Sequence, residues 1–399
     1  MKIKFGVVLL AAATLLTGCS GFWDLPTSSS TTTTTKTTLS SGVFYVLNQT
    51  TKQIAAYSIS SGTLEPVSGS PYNLSSAPYS VAVAPGGGFL YVGTVSGIYL
   101  YTIGSGGALT IANNGAVISS DIASAMQVSG SWLIDAFVPV NGSVQLDAIP
   151  INASTGAYTG SGTPPYQVFN VTNASVKQMA LSPDGTNLFL ALGAGGTIVL
   201  PFTAGNSNPL GSTATVISPV NSGGAALSVA VDPTDRLFYI GETLANSAAN
   251  SGGLRVFNYS SLGTGTPRSA PTQITGSPIA SGGLSPNAIL PIASGQYVYV
   301  ANGQGLTGSG NITWFPISAS GTTYTIAAGS DITAGIVPMG LAEDSDDNFV
   351  LAVSNGGSTS GGDPDLEAFT MSSGALTAAI TSSTGTDPVG AVAVAALPQ

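Results

Sequence analysis

The sequence contains no histidine and only one cysteine, and each absence restricts what the chain can do. Without histidine, a Ser-His-Asp triad or a Cys-His dyad has no base, and zinc and copper sites lack a usual ligand. A lone cysteine, Cys19, excludes a disulfide bond within the chain, so the burial of apolar surface must stabilise the fold. The sequence after residue 41 also lacks a convincing helical period, which favours an all-β protein.

Charged side chains are scarce as well, at 7% of residues, against about 25% in an average globular domain. This scarcity does not indicate disorder, because 43% of the residues are hydrophobic and they fall in strand-like runs. The formal net charge is −10, and so acidic a chain presents no basic surface for nucleic acid. We therefore expect no nucleic-acid partner.

A repeated pattern along the chain predicts the architecture. In each unit an apolar strand passes through a turn into a second apolar strand, and then through Gly-rich sequence into a third. The units begin 44 to 60 residues apart, near Pro78, Ile122, Val176, Ala226, Pro286, Pro338 and Pro388. Periods of this size that contain strands rather than helices are typical of a β-propeller.

The turns inside these units carry the residues that tight turns require. Ser182-Pro-Asp-Gly185 and Asp232-Pro-Thr-Asp235 each follow an apolar run, and Pro presets φ while Gly or Asp tolerates a left-handed conformation. The weakest unit begins near Ile122, where Ser129-Gly130-Ser131 replaces the Pro-containing turn. Trp132 to Phe137 nevertheless has the pattern of a second strand.

The two ends of the repeat region are complementary. The last unit holds one strand, at residues 389–395, whereas the first supplies strands at 42–47 and 53–59 without an opening strand. Pairing the C-terminal strand with the N-terminal ones would complete a blade and remove an open sheet edge. The sequence therefore predicts an all-β fold over residues 42–399. We expect a seven-bladed β-propeller of four-stranded antiparallel blades, closed by the pairing of N- and C-terminal strands.

The N-terminal segment has the pattern of a bacterial lipoprotein. Lys2 and Lys4 precede a short apolar run, and Leu16-Thr-Gly-Cys19 resembles the box in which the cysteine is lipidated. We expect residues 1–18 to be a signal peptide and Cys19 to be the lipidation site. Residues 19–41, rich in Ser and Thr, would form a tether that holds the propeller off the membrane. This pattern predicts an exported protein, anchored in the outer membrane or at the cell surface.

The blade motifs resemble those of the lactonase-type propellers, the 6-phosphogluconolactonase-like and YVTN-repeat proteins. The resemblance rests on Phe89 to Gly93, Tyr297 to Asn302, the turn at Ser182 to Gly185, and Gly97 to Tyr101. It implies a seven-bladed fold, and it implies lactone hydrolysis by His, Arg and Glu around a central channel.

Because the sequence has no histidine, the candidate catalytic residues that remain are Glu242 and Arg255. The alternative for this pair is a structural ion pair between neighbouring strands.

A calcium site made of oxygen ligands is compatible with the composition. The candidate ligands lie in two short acidic runs and are Asp344, Asp346, Asp363 and Asp365. Neither run has the spacing of an EF-hand loop, and the first occupies a turn position in its unit, so solvated turns are the favoured interpretation. We accordingly expect no cofactor.

Three functions remain open at this point. The favoured hypothesis is a monomeric binding or scaffolding module that uses a propeller face or the loops at 244–252 and 303–310 to hold a protein or carbohydrate ligand. The first alternative is a lactone hydrolase, and the second is a structural protein of the cell surface. The lining of the central channel should discriminate between them, because converging arginine and carboxylate groups would favour an enzyme.

Overall fold

The computed structural model describes residues 42–60, 63–139, 142–245, 252–305, 309–356, 365–381 and 390–398. Its strands form seven separate antiparallel sheets of four or five strands each. Contacts between the first strands of successive sheets run around a complete ring, so the sheets are the blades of a propeller. Helical structure among these residues consists of the short 3-10 turns Ser105–Gly107, Asn113–Gly115 and Tyr259–Leu262. No helix in the described ranges has the length and apolar character to cross a membrane.

Each blade has an inner strand on the central channel, followed outward by a second, a third and an outer strand. Blade one contains β1 (Val43–Asn48), β2 (Gln53–Ser60), β3 (Thr63–Pro66), β4 (Tyr72–Asn73) and the C-terminal β30 (Ala391–Ala396). Blade two contains β5 (Pro78–Val83), β6 (Phe89–Thr94), β7 (Gly97–Ile103) and β8 (Leu109–Ile111). Blade three contains β9 (Ala125–Ser129), β10 (Trp132–Phe137), β11 (Val144–Pro150) and β12 (Tyr166–Phe169).

The remaining four blades follow in chain order. Blade four contains β13 (Gln178–Leu181), β14 (Asn187–Ala191), β15 (Thr197–Pro201) and β16 (Thr215–Ile217). Blade five contains β17 (Ala226–Val231), β18 (Leu237–Glu242), β19 (Gly253–Asn258) and β20 (Ile279–Ala280). Blade six contains β21 (Gly283–Pro291), β22 (Tyr297–Gly305), β23 (Asn311–Ser320), β24 (Thr323–Ile326) and β25 (Ser330–Thr333). Blade seven contains β26 (Pro338–Glu343), β27 (Phe349–Ser354), β28 (Leu366–Ser372) and β29 (Ala375–Thr381).

The predicted closure of the ring is confirmed. The C-terminal strand β30 pairs with β1 in antiparallel register, with Val46 opposite Val394 and Tyr45 opposite Ala395. It thereby supplies the inner strand of blade one, which the N-terminal segment lacks. The weakest repeat is confirmed as blade three, although its inner strand starts at Ala125, three residues after the predicted Ile122. The last predicted start, Pro388, lies outside the described residues.

The turns between inner and second strands confirm the turn chemistry read from the sequence. In six blades this turn contains a residue with positive φ, and these residues are Gly87, Gly130, Gly185, Asp235, Gly295 and Asp347. In blade four the N–H of Gly185 donates to the carbonyl of Ser182 at 2.8 Å, and in blade five Asp235 donates to Asp232 at 2.9 Å. A left-handed residue at the same place therefore reverses the chain in each of these blades.

The core lies between blades, because both faces of each sheet are covered by neighbours. Seven apolar clusters fill the seven junctions, one for each pair of adjacent blades. Alternate residues of a second strand point to opposite neighbours: Leu133 packs toward blade two, whereas Ile134 packs toward blade four. This arrangement explains why the strands are apolar on both faces.

Inner strands of adjacent blades do not pair as a sheet, and side-chain hydrogen bonds join them instead. Ser80 of blade two donates to the carbonyl of Ala123 at 2.6 Å, and Gln127 of blade three donates to Met179 at 3.2 Å. Comparable bonds join the inner strands at three further junctions, namely Gln178–Val229, Ser228–Pro286 and Asn287–Pro338. At the last two junctions the residue after a second strand bonds to the next inner strand, as Asn355–Ala391 and Gln49–Pro78. The ring is thus tied at every junction near its axis.

Buried tyrosines tie the blades a second time, farther from the axis. The hydroxyl of Tyr91 in blade two donates to the carbonyl of Gly156 in blade three at 2.9 Å. Tyr45 and Tyr299 make the same bond to Gly107 and Gly374, each a positive-φ glycine of the next blade. Tyr239 occupies the corresponding position in blade five, but its buried hydroxyl has no partner among the described residues.

We expect Tyr91→Phe to lower the free energy of unfolding by about 1–2 kcal/mol, because the change removes a buried hydrogen bond and leaves the Gly156 carbonyl unsatisfied. The matched control is Tyr239→Phe, which deletes a buried hydroxyl that has no partner and should therefore be neutral or stabilising. Urea denaturation followed by intrinsic fluorescence measures both changes. Equal destabilisation by the two substitutions would contradict a stabilising hydrogen bond from Tyr91 to Gly156.

Candidate functional site

The inner strands of all seven blades enclose a central channel, and this channel is the first candidate site. Its cavity has a volume of about 340 Å³. Every inner strand contributes to the lining, which includes Tyr79, Met126, Gln178, Leu227, Asn287, Met339 and Val392. These residues come from chain segments more than forty positions apart. The circular repeat alone therefore brings them together.

The lining of this cavity is mainly apolar and neutral polar. Lys177, just before β13, is the one charged residue among the described residues that line it, and neither an arginine nor a carboxylate joins it there. Its side chain is exposed and forms no ion pair within the described ranges. Tyr79, at the start of β5, is 42% exposed at the same end of the inner strands. A cation and an aromatic face are therefore available to a ligand that enters from this end.

Most other polar groups of the channel are already engaged. The side chains of Ser80, Gln127 and Asn287 donate hydrogen bonds to carbonyls of the next blade. The side-chain oxygen of Gln178 accepts a hydrogen bond from the N–H of Val229. These side chains join adjacent blades, and their remaining donors and acceptors are available to the channel. The described lining therefore presents one free cation among apolar and neutral polar groups.

The structure places Glu242 and Arg255 outside the channel lining, on adjacent strands of blade five. The Arg255 Nη1 atom lies 2.6 Å from the Glu242 Oε1 atom, and both side chains are buried. Glu242 Oε2 also accepts the N–H of Val220, and Arg255 donates to the carbonyl of Ser218. The pair thus connects blade five to the segment that enters it. A catalytic role for the two residues stays a prediction.

The acidic run at residues 343–347 forms the hairpin between β26 and β27, as the sequence indicated. Asp344 is 4% exposed, and its Oδ1 atom accepts the N–H groups of Asn348 and Phe349 at 2.8 and 2.6 Å. Its side chain therefore stabilises the turn from within, whereas the neighbouring Asp346 is exposed. In the second run, Asp365 is buried just before β28, and Asp363 lies outside the described residues. Calcium binding at either run is untested and stays a prediction.

The structure also brings together three carboxylates that the sequence analysis did not connect. Asp121 lies between blades two and three, and Asp135 and Asp147 face each other across β10 and β11. Burial raises the pKa of Asp135 well above its ordinary value, and the charges of Asp121 and Asp147 raise it further. Burial likewise raises the pKa of Asp147. One signal was visible in the sequence, namely an aspartate in the middle of the apolar run Trp132 to Phe137.

A groove of about 200 Å³ between blades six and seven contains the carboxyl group of Glu343, the first residue of the acidic run at 343–347. Burial raises the pKa of Glu343 to about 7, and the nearby Asp347 and Asp344 contribute to the increase. Glu343 Oε2 accepts the N–H of Ala293 at 2.9 Å, while the buried Oε1 has no partner among the described residues. Tyr297 and Tyr299 line the same groove.

The described residues thus define a closed seven-bladed β-propeller. The structure is similar to a provisionally assigned 6-phosphogluconolactonase from Bacteroides uniformis, with a TM-score of 0.65 and 16% identity, over 89% of this chain and 99% of that chain. A second provisionally assigned 6-phosphogluconolactonase, from Bacteroides fragilis, gives a TM-score of 0.62 and 16% identity, over 91% of this chain and 98% of that chain.

A protein from Lactobacillus plantarum is also similar, with a TM-score of 0.52 and 16% identity, over 74% of this chain and 83% of that chain. At these identities the likeness shows a shared fold, which confirms the predicted resemblance at that level. No protein-family model and no curated protein matches the sequence. The lipoprotein segment, with Cys19, lies outside the described residues and stays a prediction.

Proposed function

We propose that this protein is a binding module of the cell envelope, anchored through Cys19, whose ligand occupies the central channel. The observation that carries the proposal is the channel lining, in which the free Lys177 ammonium is the one charged group among the described residues. Hydrolysis within the channel would need a base to activate water. The described lining offers no carboxylate for that task, and the sequence has no histidine.

An anionic sugar is the ligand that fits this channel best. Lys177 supplies a cation for a carboxylate or phosphate group, while Tyr79 and the amide of Gln127 supply an aromatic face and hydrogen bonds for hydroxyl groups. The cavity, at about 340 Å³, lies in the size range of small-molecule sites. The fold likeness to 6-phosphogluconolactonases supports the same ligand class, since those proteins are named for an anionic sugar derivative.

Isothermal titration with D-glucose, D-gluconate and 6-phosphogluconate tests the proposal, because these ligands differ in charge while sharing a carbon skeleton. We expect the two anions to bind more tightly than glucose. Lys177→Ala should weaken anion binding by roughly 10–100-fold, which corresponds to the loss of a charge-assisted hydrogen bond worth about 1.5–3 kcal/mol. Lys177→Arg keeps the charge and should retain most of the affinity. Equal affinities of the wild-type protein and Lys177→Ala for gluconate would contradict the proposal.

Lactone hydrolysis is the second candidate, and the groove at Glu343 is the observation that favours it. A carboxyl group with a pKa near 7 and an unpartnered oxygen can act as a general base for a water molecule. Hydrolysis of glucono-δ-lactone above the spontaneous rate, lost in Glu343→Gln and kept in Lys177→Ala, would establish this activity. An unchanged spontaneous rate in the presence of the wild-type protein would exclude it for this substrate.

A further inference from the structure

Blade three holds three carboxylates at its junction with blade two. One oxygen from each of Asp121, Asp135 and Asp147 lies within 4.8 Å of the other two, so a single ion could contact all three. Asp135 and Asp147 are directly opposite each other in the β10–β11 ladder. Asp121 belongs to the segment that connects blade two to blade three, and its backbone N–H donates to the Ser119 hydroxyl oxygen at 3.2 Å. The cluster therefore joins a connector to the two central strands of a blade.

Asp135 is fully buried, and among the described residues no side chain donates a hydrogen bond to either of its carboxylate oxygens. Asp147 is 5% exposed and receives a hydrogen bond from the Gln145 amide at 2.8 Å. None of the three carboxylates forms an ion pair with a lysine or arginine of the described ranges. A buried carboxylate in this situation is strongly unfavourable unless a cation or a proton compensates its charge.

The propeller itself does not require a charge at this position. In the six other blades, the second-strand residue at the same register is aliphatic and at most 1% exposed; these residues are Val46, Val92, Leu190, Ile240, Val300 and Ala352. Each of them packs in an apolar cluster between blades. Asp135 thus interrupts a continuous apolar ring, and a packing role does not account for it.

Blades five and seven show how buried acids are compensated elsewhere in the ring. In blade five the residue equivalent to Asp147 is Arg255, which neutralises Glu242. In blade seven the equivalent residue is Glu367, which accepts a connector N–H from Gly335 at 3.0 Å. In blade three the connector instead contributes a third acid, Asp121. A bound cation would compensate the carboxylates of blade three, as Arg255 compensates Glu242 in blade five and a backbone N–H compensates Glu367 in blade seven.

We propose that Asp121, Asp135 and Asp147 form a calcium site that fastens the connector between blades two and three to blade three. All the protein ligands are carboxylate oxygens, which hard cations prefer. Ca²⁺ accepts six to eight oxygens in irregular arrangements, so three carboxylates and water can complete its shell. Mg²⁺ requires a near-ideal octahedron and gives up its water reluctantly, which makes it the weaker fit for a site at a buried blade junction. This site is separate from the channel ligand.

The test uses the full chain after treatment with EDTA, with CaCl₂ or MgCl₂ added back. We expect isothermal titration to show one calcium ion bound per chain, and Tm to rise with calcium concentration as binding to the folded state requires. Magnesium at the same concentration should raise Tm less. Asp121→Asn, which changes the half-buried ligand, should weaken calcium binding at least tenfold without loss of the fold.

Asp135→Val introduces the residue type that the other blades have at this position. This variant should have a Tm in EDTA equal to or above that of the wild-type protein, and calcium should no longer raise it. Asp346→Asn alters an exposed acid in the hairpin of blade seven and should leave the calcium response unchanged. The proposal is overturned if the wild-type Tm and titration do not respond to calcium, the result expected if a shared proton compensates the cluster. It is also overturned if Asp135→Val keeps the wild-type response.

Discussion

A chain that ends before Gly390 is expected to lose the cooperative unfolding transition of the intact propeller. The truncation removes β30, and with it the ladder to β1, the bond from the Gln49 N–H to the Gly390 carbonyl, and the buried side chain of Leu397. Each lost hydrogen bond contributes about 0.5–1.5 kcal/mol and a buried leucine about 2–5 kcal/mol. Together they approach the whole net stability of a typical domain, which is about 5–15 kcal/mol.

The truncated chain also exposes the edge of β1, whose six residues are all buried in the intact ring. An unpaired apolar edge of this kind promotes association, so size-exclusion chromatography should show aggregates of the truncated chain that the intact protein does not form. The control ends at Leu397 and lacks only residues 398 and 399, which lie beyond the last strand. It should match the intact protein in Tm. A folded, monomeric product from the longer truncation would show that ring closure contributes little to stability.

The repeat could be predicted from the sequence because the same local chemistry recurs along the chain. Two apolar strands around a turn with a left-handed residue occur in six blades, and the incomplete units at the two termini predict the pairing that completes the seventh. Such signals are local in the chain, and a circular repeat shows the same signal several times. The fourth strands were harder to find because several have two to four residues, such as Ile279–Ala280.

The sites were not readable in the same way, since they depend on residues that only the ring brings together. Asp121 and Asp147 are separated by a complete hairpin, and the channel lining draws its residues from seven strands. The sequence could exclude whole classes of chemistry through its lack of histidine. It could not show that Glu343 lies in a groove, because the groove belongs to two blades and its walls are far apart in the chain.

The second large effect is expected from breaking the buried ion pair of blade five. Arg255→Met should lower the free energy of unfolding by about 3–5 kcal/mol, because it leaves the Glu242 carboxyl group, 1% exposed, without its cation. The double variant Glu242→Gln, Arg255→Met should recover much of the loss, since the glutamine oxygen can still accept the N–H of Val220. A double-mutant cycle measured by urea denaturation gives the coupling between the two residues.

Arg236→Met is the control, because Asp232, although buried, keeps hydrogen bonds from the N–H and hydroxyl of Thr234 when the 29% exposed arginine is removed. Its cost should therefore be smaller than that of Arg255→Met. If the free-energy losses of Glu242→Gln and Arg255→Met simply add up in the double variant, the two side chains are not coupled. The ion pair would then not be what connects blade five to its entering segment.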